Sequence, residues 1–289
     1  MIPSLPRPLW LRFSTVAYVI GFLAFLFLPL IVVAVFAFND APYPAPPWRG
    51  FTLDWFLGNP AQGRTGLFAD RELLGSIWTS CVVAAWVTLL SALIGTTNAF
   101  LIERGRFRGK QALSIMMMAP LVIPGVILGI SILAFASRIA EFADDTFGLE
   151  WDFLRPGLPL VVLGQFSYIA TIATLTISAR LRRFDSTLEE AALNLGASRG
   201  AVFRTIMLPY LRPALVGSAA ISFLMSFADF NTTLMLVGAN SPLTVTMYGR
   251  MREGATPVLN AVSLFLMIAS AVLAMTLLRR SGNKQKAAA

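Results

Sequence analysis

Asp229 is the residue whose setting most invites a chemical role, because it is the one formally charged side chain within the long apolar runs of this 289-residue chain. Ser218, Ser222, Ser226, Asp229 and Thr233 follow at helical spacing, so the carboxylate shares one face with four hydroxyls. A carboxylate in hydrocarbon costs about 2.5–3.5 kcal/mol, so it must face a cavity or a partner rather than lipid. In a cavity it suits a cationic solute; against a neighbouring subunit it is a hydrogen-bonded or salt-bridged anchor. Gln165, Tyr168 and Asn231 add polar groups in the same two runs, making Gln165, Tyr168, Ser222, Ser226, Asp229, Asn231 and Thr233 the candidate substrate-pathway set. Other chemistry is poorly served. Histidine is absent and Cys81 is the single cysteine, which excludes His-based acid/base work, His- or Cys-clustered metal sites and an intrachain disulfide. A proton relay needs several intramembrane ionisable groups, and a membrane-embedded enzyme needs a nucleophile and a base. With no GxxxxGK[ST] sequence, ATP and its Mg must be bound by another polypeptide, and no cofactor or metal is expected in this chain.

A second group of residues could transmit force. Ser186 and Glu189 have the spacing of a capping box, predicting a helix that starts there. Leu188, Ala191, Ala192 and Leu195 then form one apolar stripe, and Gly196 stands where a left-handed cap ends such a helix. Ser198 can cap a second short helix with Val202, Phe203 and Ile206 on one face, closed by Pro209. Two helices this short cannot bury their own apolar faces. Either they lie on the inner leaflet or a protein partner covers them.

The elements that must carry these residues are helices in a membrane. The composition is 56% hydrophobic and 13% charged, with a mean hydropathy of +0.71. Six runs are long enough to cross a hydrocarbon core of about 30 Å, at 14–38, 76–102, 112–137, 158–179, 214–237 and 258–278. The fold class is therefore all-α integral membrane with six transmembrane helices. The first run is too long for a signal peptide and is read as a retained helix. Segments 1–13, 103–111, 180–212 and 279–289 hold most of the Lys and Arg and few acids, whereas the alternate loops are net acidic. The positive-inside rule then puts both termini in the cytoplasm. This partition accounts for the net charge of +8 without nucleic acid. Trp48, Phe51, Trp55 and Phe56 in the first outer loop suit the headgroup zone, or else a docking surface, and 141–152 is a second such loop. Pro29, Pro120, Pro124 and Gly125 should bend or break their helices. Ser167, Thr171, Thr174 and Ser178 read as helix-packing hydroxyls, and 281–289 as a cytoplasmic tail without fixed structure.

One spacing resembles a known family. Glu190-Ala191-Ala192, then Gly196, Ile206 and Leu208-Pro209, reproduces the EAA signature of the membrane subunits of bacterial binding-protein-dependent ABC importers. The resemblance implies a type I ABC importer permease fold in which 180–212 is a coupling loop seated on a cytoplasmic ATPase. Its contact residues would be Glu189, Glu190, Ala191, Ala192, Gly196, Ala197, Phe203, Ile206, Leu208 and Pro209. Softer matches, among them Trp48-Arg49-Gly50-Phe51-Thr52, Ala119-Pro120-Leu121-Val122-Ile123-Pro124, Ser226-Phe227-Ala228-Asp229 and Tyr248-Gly249-Arg250-Met251, look like the second permease of spermidine/putrescine-type importers. The implied partners are a second, non-identical permease, two ATPase subunits and a periplasmic or extracellular solute-binding protein, in a bacterial inner membrane. Another small solute, amino-acid-like, zwitterionic or anionic, is the alternative within that family; a proton-coupled carrier is the alternative outside it.

Overall fold

The chain is described by a computed structural model over residues 9–254 and 256–286. Its helices are α1 (Leu9–Phe36), α2 (Asp54–Leu57), α3 (Arg71–Arg104), α4 (Lys110–Val122), α5 (Gly125–Phe147), α6 (Leu158–Leu181), α7 (Ser186–Asn194), α8 (Arg199–Val202), α9 (Leu208–Ala228), α10 (Asn231–Leu236), α11 (Leu243–Gly254) and α12 (Val258–Lys286). Among the described residues, β structure amounts to two isolated bridges. Four of these helices, α1, α3, α5 and α6, are long and apolar enough to cross a bilayer, as is the continuous helical stretch Arg199–Ala228; α12 opens with the apolar segment Val258–Val272.

Two apolar runs differ from the simple spans they predict, and so does the loop between them. The run at 112–137 is two helices. Pro124 has no N–H to donate and pushes Ile123 into an extended conformation (φ −78°, ψ 128°), so α4 stops and α5 restarts, reaching Phe147. Pro29, Pro120 and Pro213, by contrast, remain inside their helices. The run at 214–237 is also interrupted, at Asp229, whose backbone is extended (φ −69°, ψ 125°). Nor does Pro209 close a short helix. A π-helical turn at Phe203–Met207 widens the coil just before it, which removes the clash of the ring with the preceding turn, and α8 runs on into α9. At the C-terminus the backbone stays helical to Lys286, where an unstructured segment is expected from 281; residues 1–8 and 287–289 lie outside the described residues.

The chain divides into two compact units. One comprises residues up to Arg71 and those from Gly249 onward. In it α1 lies along α12, and the outer segment between α1 and α3 is a folded loop with its own core. Asn39 is fully buried there: its side chain accepts from Arg49 N–H (2.8 Å) and its carbonyl accepts from the Trp55 indole (2.8 Å). Phe38 stacks on Phe51 and Phe56, and Arg64 covers Trp55 at 4.8 Å. Trp55 is thus a core residue of the loop, not a headgroup anchor, whereas Trp48 and Phe51 remain exposed. Asp70, just before α3, forms a bidentate pair with Arg250 of α11 (2.5 and 3.1 Å).

The second unit, Glu72–Tyr248, is organised around α6. Leu160, Val161 and Ile169 of α6 pack with Val83 and Val87 of α3, Ala136 of α5 and Leu236 of α10. Close approach is set by small residues. A Cβ at Gly95 would meet Ala173 at 2.8 Å, and one at Gly164 would overlap Leu236 at 2.2 Å. The hydroxyls of α6 serve that packing: Thr174 bonds to the Ala170 carbonyl (2.7 Å) and Thr171 reaches the Met117 carbonyl of α4 (2.5 Å).

Candidate functional site

The break at Asp229 is held by its own side chain. One carboxylate oxygen accepts from the Thr233 backbone N–H (2.9 Å) and the Thr233 hydroxyl (2.7 Å), which caps the first turn of α10. The other accepts from the Tyr168 hydroxyl of α6 at 3.1 Å. Gln165, 1% exposed, links the rest: its amide donates to Thr233 Oγ1 (2.8 Å) and at longer reach to Asp229 (3.5 Å), while its carbonyl oxygen accepts from the Ser226 hydroxyl. Five of the seven pathway candidates, Gln165, Tyr168, Ser226, Asp229 and Thr233, therefore form one connected network. Ser222 lies one turn before Ser226, buried, its hydroxyl without a partner among the described residues. Asn231 is exposed and outside the network.

Each donor to Asp229 is neutral. Among the described residues no Lys or Arg pairs with it, so no cation sits against the half-buried carboxylate next to the helix break. Hydrogen bonds to a charged group are worth about 1.5–3 kcal/mol each, enough together to offset the desolvation of a half-buried carboxylate. The geometry is a preformed carboxylate point backed by α6 and flanked by the tilted ring pair of Phe230 and Tyr248 (centroids 4.9 Å apart). Sequence reading missed Thr244, whose hydroxyl donates to the Asp229 carbonyl (2.8 Å) and ties α11 to the break. A signal existed in the run Asp229, Asn231, Thr232, Thr233, all cap-forming types, directly after a hydroxyl-bearing helix face.

The second cluster is the elbow between α6 and α9. Its first cap is Asp185, one residue earlier than the capping box predicts: the carboxylate accepts from Thr187 N–H (2.9 Å) and the Thr187 hydroxyl (2.8 Å). Those bonds, the backbone one foremost, hold the Asp185 carboxyl below its ordinary pKa. At the far end, Gly196 adopts φ +88°, and Gly196 N–H and Ala197 N–H bond to the Leu193 and Ala192 carbonyls, a Schellman arrangement. Ser198 caps α8 through Ala201 N–H. Glu189 pairs with Arg104 (3.0 Å), whereas Glu190 and Ala191 are exposed and Ala192 and Ala197 half-buried. Leu188 is 52% and Leu195 90% exposed, so the two leucines of the α7 stripe stand largely uncovered among the described residues. The root of the elbow is better packed. Leu181, Phe184, Met207 and Leu211 form a core with Ile206 against it, and the Phe203 ring, exposed on its other side, lies 5.8 Å from Phe100. Leu208 and Pro209 are exposed.

The elbow is thus a rigid, capped knob with an apolar face. Curated relatives of the chain are transport permeases. The chain is 28% identical over 254 residues to the putrescine transport system permease protein PotI of Escherichia coli K12, covering 87% of this chain and 84% of that one. It is 28% identical over 263 residues to the spermidine/putrescine transport system permease protein PotC of Haemophilus influenzae, covering 90% and 94% respectively. Among solved structures, a bacterial ABC transporter involved in import of the acidic polysaccharide alginate shares the fold at TM-score 0.76 and 19% identity, over 95% of this chain and 96% of that one. The family of binding-protein-dependent transport system inner membrane components matches residues 91–283, which take in both the Asp229 network and the elbow. The chain belongs to that family and is a membrane-embedded permease subunit of an ABC importer.

Proposed function

We propose that the chain lines half of the path through which an ATP-driven importer moves a small cationic solute of polyamine type. The observation that carries the cationic reading is the setting of Asp229: its donors are a backbone amide, two hydroxyls and a carboxamide, so the carboxylate is held in place by neutral groups with no cation beside it among the described residues. An alkylammonium group is its natural complement. The putrescine and spermidine named for the relatives support the same class. A second, non-identical permease completes the path, and an external binding protein delivers the solute. Two cytoplasmic ATPase subunits supply the energy, each elbow seating its exposed Leu188 and Leu195 in an ATPase cleft with Glu190 as the polar contact. ATP-driven closure of the ATPases rocks the elbows and, through α6 and α9, opens the path outward; hydrolysis returns it inward. Both termini and the elbow lie in the cytoplasm in this reading, which the distribution of Arg and Lys supports.

The test is uptake by proteoliposomes holding the assembled transporter, with ATP enclosed and the binding protein outside. Labelled putrescine should accumulate only with ATP. Preference for an anion such as sulfate, or for an uncharged diol of equal length, would overturn the cationic reading, and accumulation driven by a proton gradient without ATP would overturn the energy source.

A further inference from the structure

The elbow is joined covalently to α6 and α9, but a third helix also holds it. Glu103 and Arg104, the last two residues of α3, carry opposite charges and diverge around the helix end. Arg104 reaches Glu189 in α7 at 3.0 Å, and Glu103 accepts from Arg182, directly after α6, at 2.8 Å. The two pairs grip the linker 182–189 at both of its ends, across 79 and 85 residues of sequence. Between them the Arg104 guanidinium lies over the Phe184 ring at 5.5 Å, and Phe184 in turn packs edge-on against Tyr210 of α9 at 5.1 Å. Phe100, one turn earlier on α3, meets Phe203. The end of α3 therefore touches the start of α7, the end of α6 and the root of α9.

We propose that Glu103 and Arg104 are positioning residues for energy coupling: a crossed pair of ion bridges that makes α3 a third arm moved by the elbow. The assignment rests on the elbow being where the ATPase acts. Glu103 is the more enclosed acid, its side chain 14% exposed, while Glu189 is 31% exposed, so the clamp is half-wet and reversible rather than a buried lock. Its order matters: the α3 charges run acid then base, and their partners run base then acid. Exchanging the charges within one pair keeps the attraction, whereas reversing one member sets like charges about 3 Å apart.

The experiment uses the assembled transporter in proteoliposomes and reads solute moved per ATP hydrolysed. Arg104→Glu alone should lower that ratio about threefold while the ATPase still co-purifies, and adding Glu189→Arg to it should restore the ratio. Glu103→Arg, Arg182→Glu and their double should behave in the same way. A wild-type ratio in the single variants, or a double no better than the worse single, would overturn the clamp, as would a fall in yield that accounts for the lost transport with the ratio per ATP unchanged. Failure of the elbow assignment shows itself differently: Leu195→Asp would then leave ATPase co-purification at the wild-type level, and the clamp would fall with it.

Discussion

Replacing Asp229 by Asn removes one charge and almost no shape. Asn retains one oxygen, which can keep the Thr233 N–H and hydroxyl as donors, at 2.9 and 2.7 Å in the native site. Its NH2 then faces the Tyr168 hydroxyl, which can rotate to accept. The structural loss is the difference between charge-assisted and neutral hydrogen bonds, about 1 kcal/mol. The functional loss is larger. Two unit charges 4 Å apart at an effective dielectric of 20 attract by about 4 kcal/mol, and solvent retained by the solute leaves about 1–3 kcal/mol of that, a factor of about 5 to 150 in transport. Asp229→Asn should therefore insert and assemble normally but take up putrescine at least about fivefold more slowly. Asp229→Ala should fail differently, losing yield as well as transport, because the Thr233 N–H is left without its cap. Tyr168→Phe deletes one donor to the carboxylate and should transport within about threefold of wild type. Normal uptake by Asp229→Asn would refute the solute contact and leave the carboxylate as a fastener of the helix break.

Two further predictions concern the elbow. A Cβ at Gly196 meets nothing within 4 Å, so the cost of Gly196→Val lies in the backbone alone: a β-branched residue at φ +88° loses about 1–2 kcal/mol or more and should unwind the end of α7. Transport and ATPase stimulation should be abolished with insertion intact, Gly196→Asn should be milder, and wild-type transport in the Val variant would sink the coupling role. Asp185 has a folded-state pKa below its unfolded one, so its cap stabilises α7 above the ordinary carboxylate range and is lost as pH falls through the folded value. Hydrogen exchange of α7 amides, compared at matched pH, should be faster in Asp185→Ala than in wild type down to about pH 4, and the difference should close below that.

What could be read from residue order divides along physical lines. The elbow was legible because its signals are local: a cap, a stripe, a glycine needing positive φ, a second cap. Even there the cap moved from Ser186 to Asp185, both being good acceptors one residue apart, and backbone geometry decided between them. The breaks were half legible. Pro124 announces a break and makes one, whereas Pro120, Pro209 and Pro213 are absorbed by regular or π-helical turns, a choice that depends on neighbours packed in space. Asp229 was singled out for its charge, but its place at a helix end depends on Gln165 and Tyr168, more than 60 residues away. The Arg104 and Glu189 pairing was invisible for the same reason. Trp55 was misplaced because an aromatic in an outer loop carries no mark to tell a headgroup anchor from the core of a folded loop.

The central claim, that energy enters this permease at an apolar knob on its cytoplasmic face, can be tested at one side chain. Leu195 is 90% exposed, and Cys81 is the single native cysteine, so Leu195→Cys in a Cys81→Ser background gives one thiol at the tip of the elbow. Labelling of that thiol with a membrane-impermeant reagent should occur from the cytoplasmic side and be blocked when the ATPase subunit is bound. Labelling from the outer side, or labelling unaffected by the ATPase, would contradict the account.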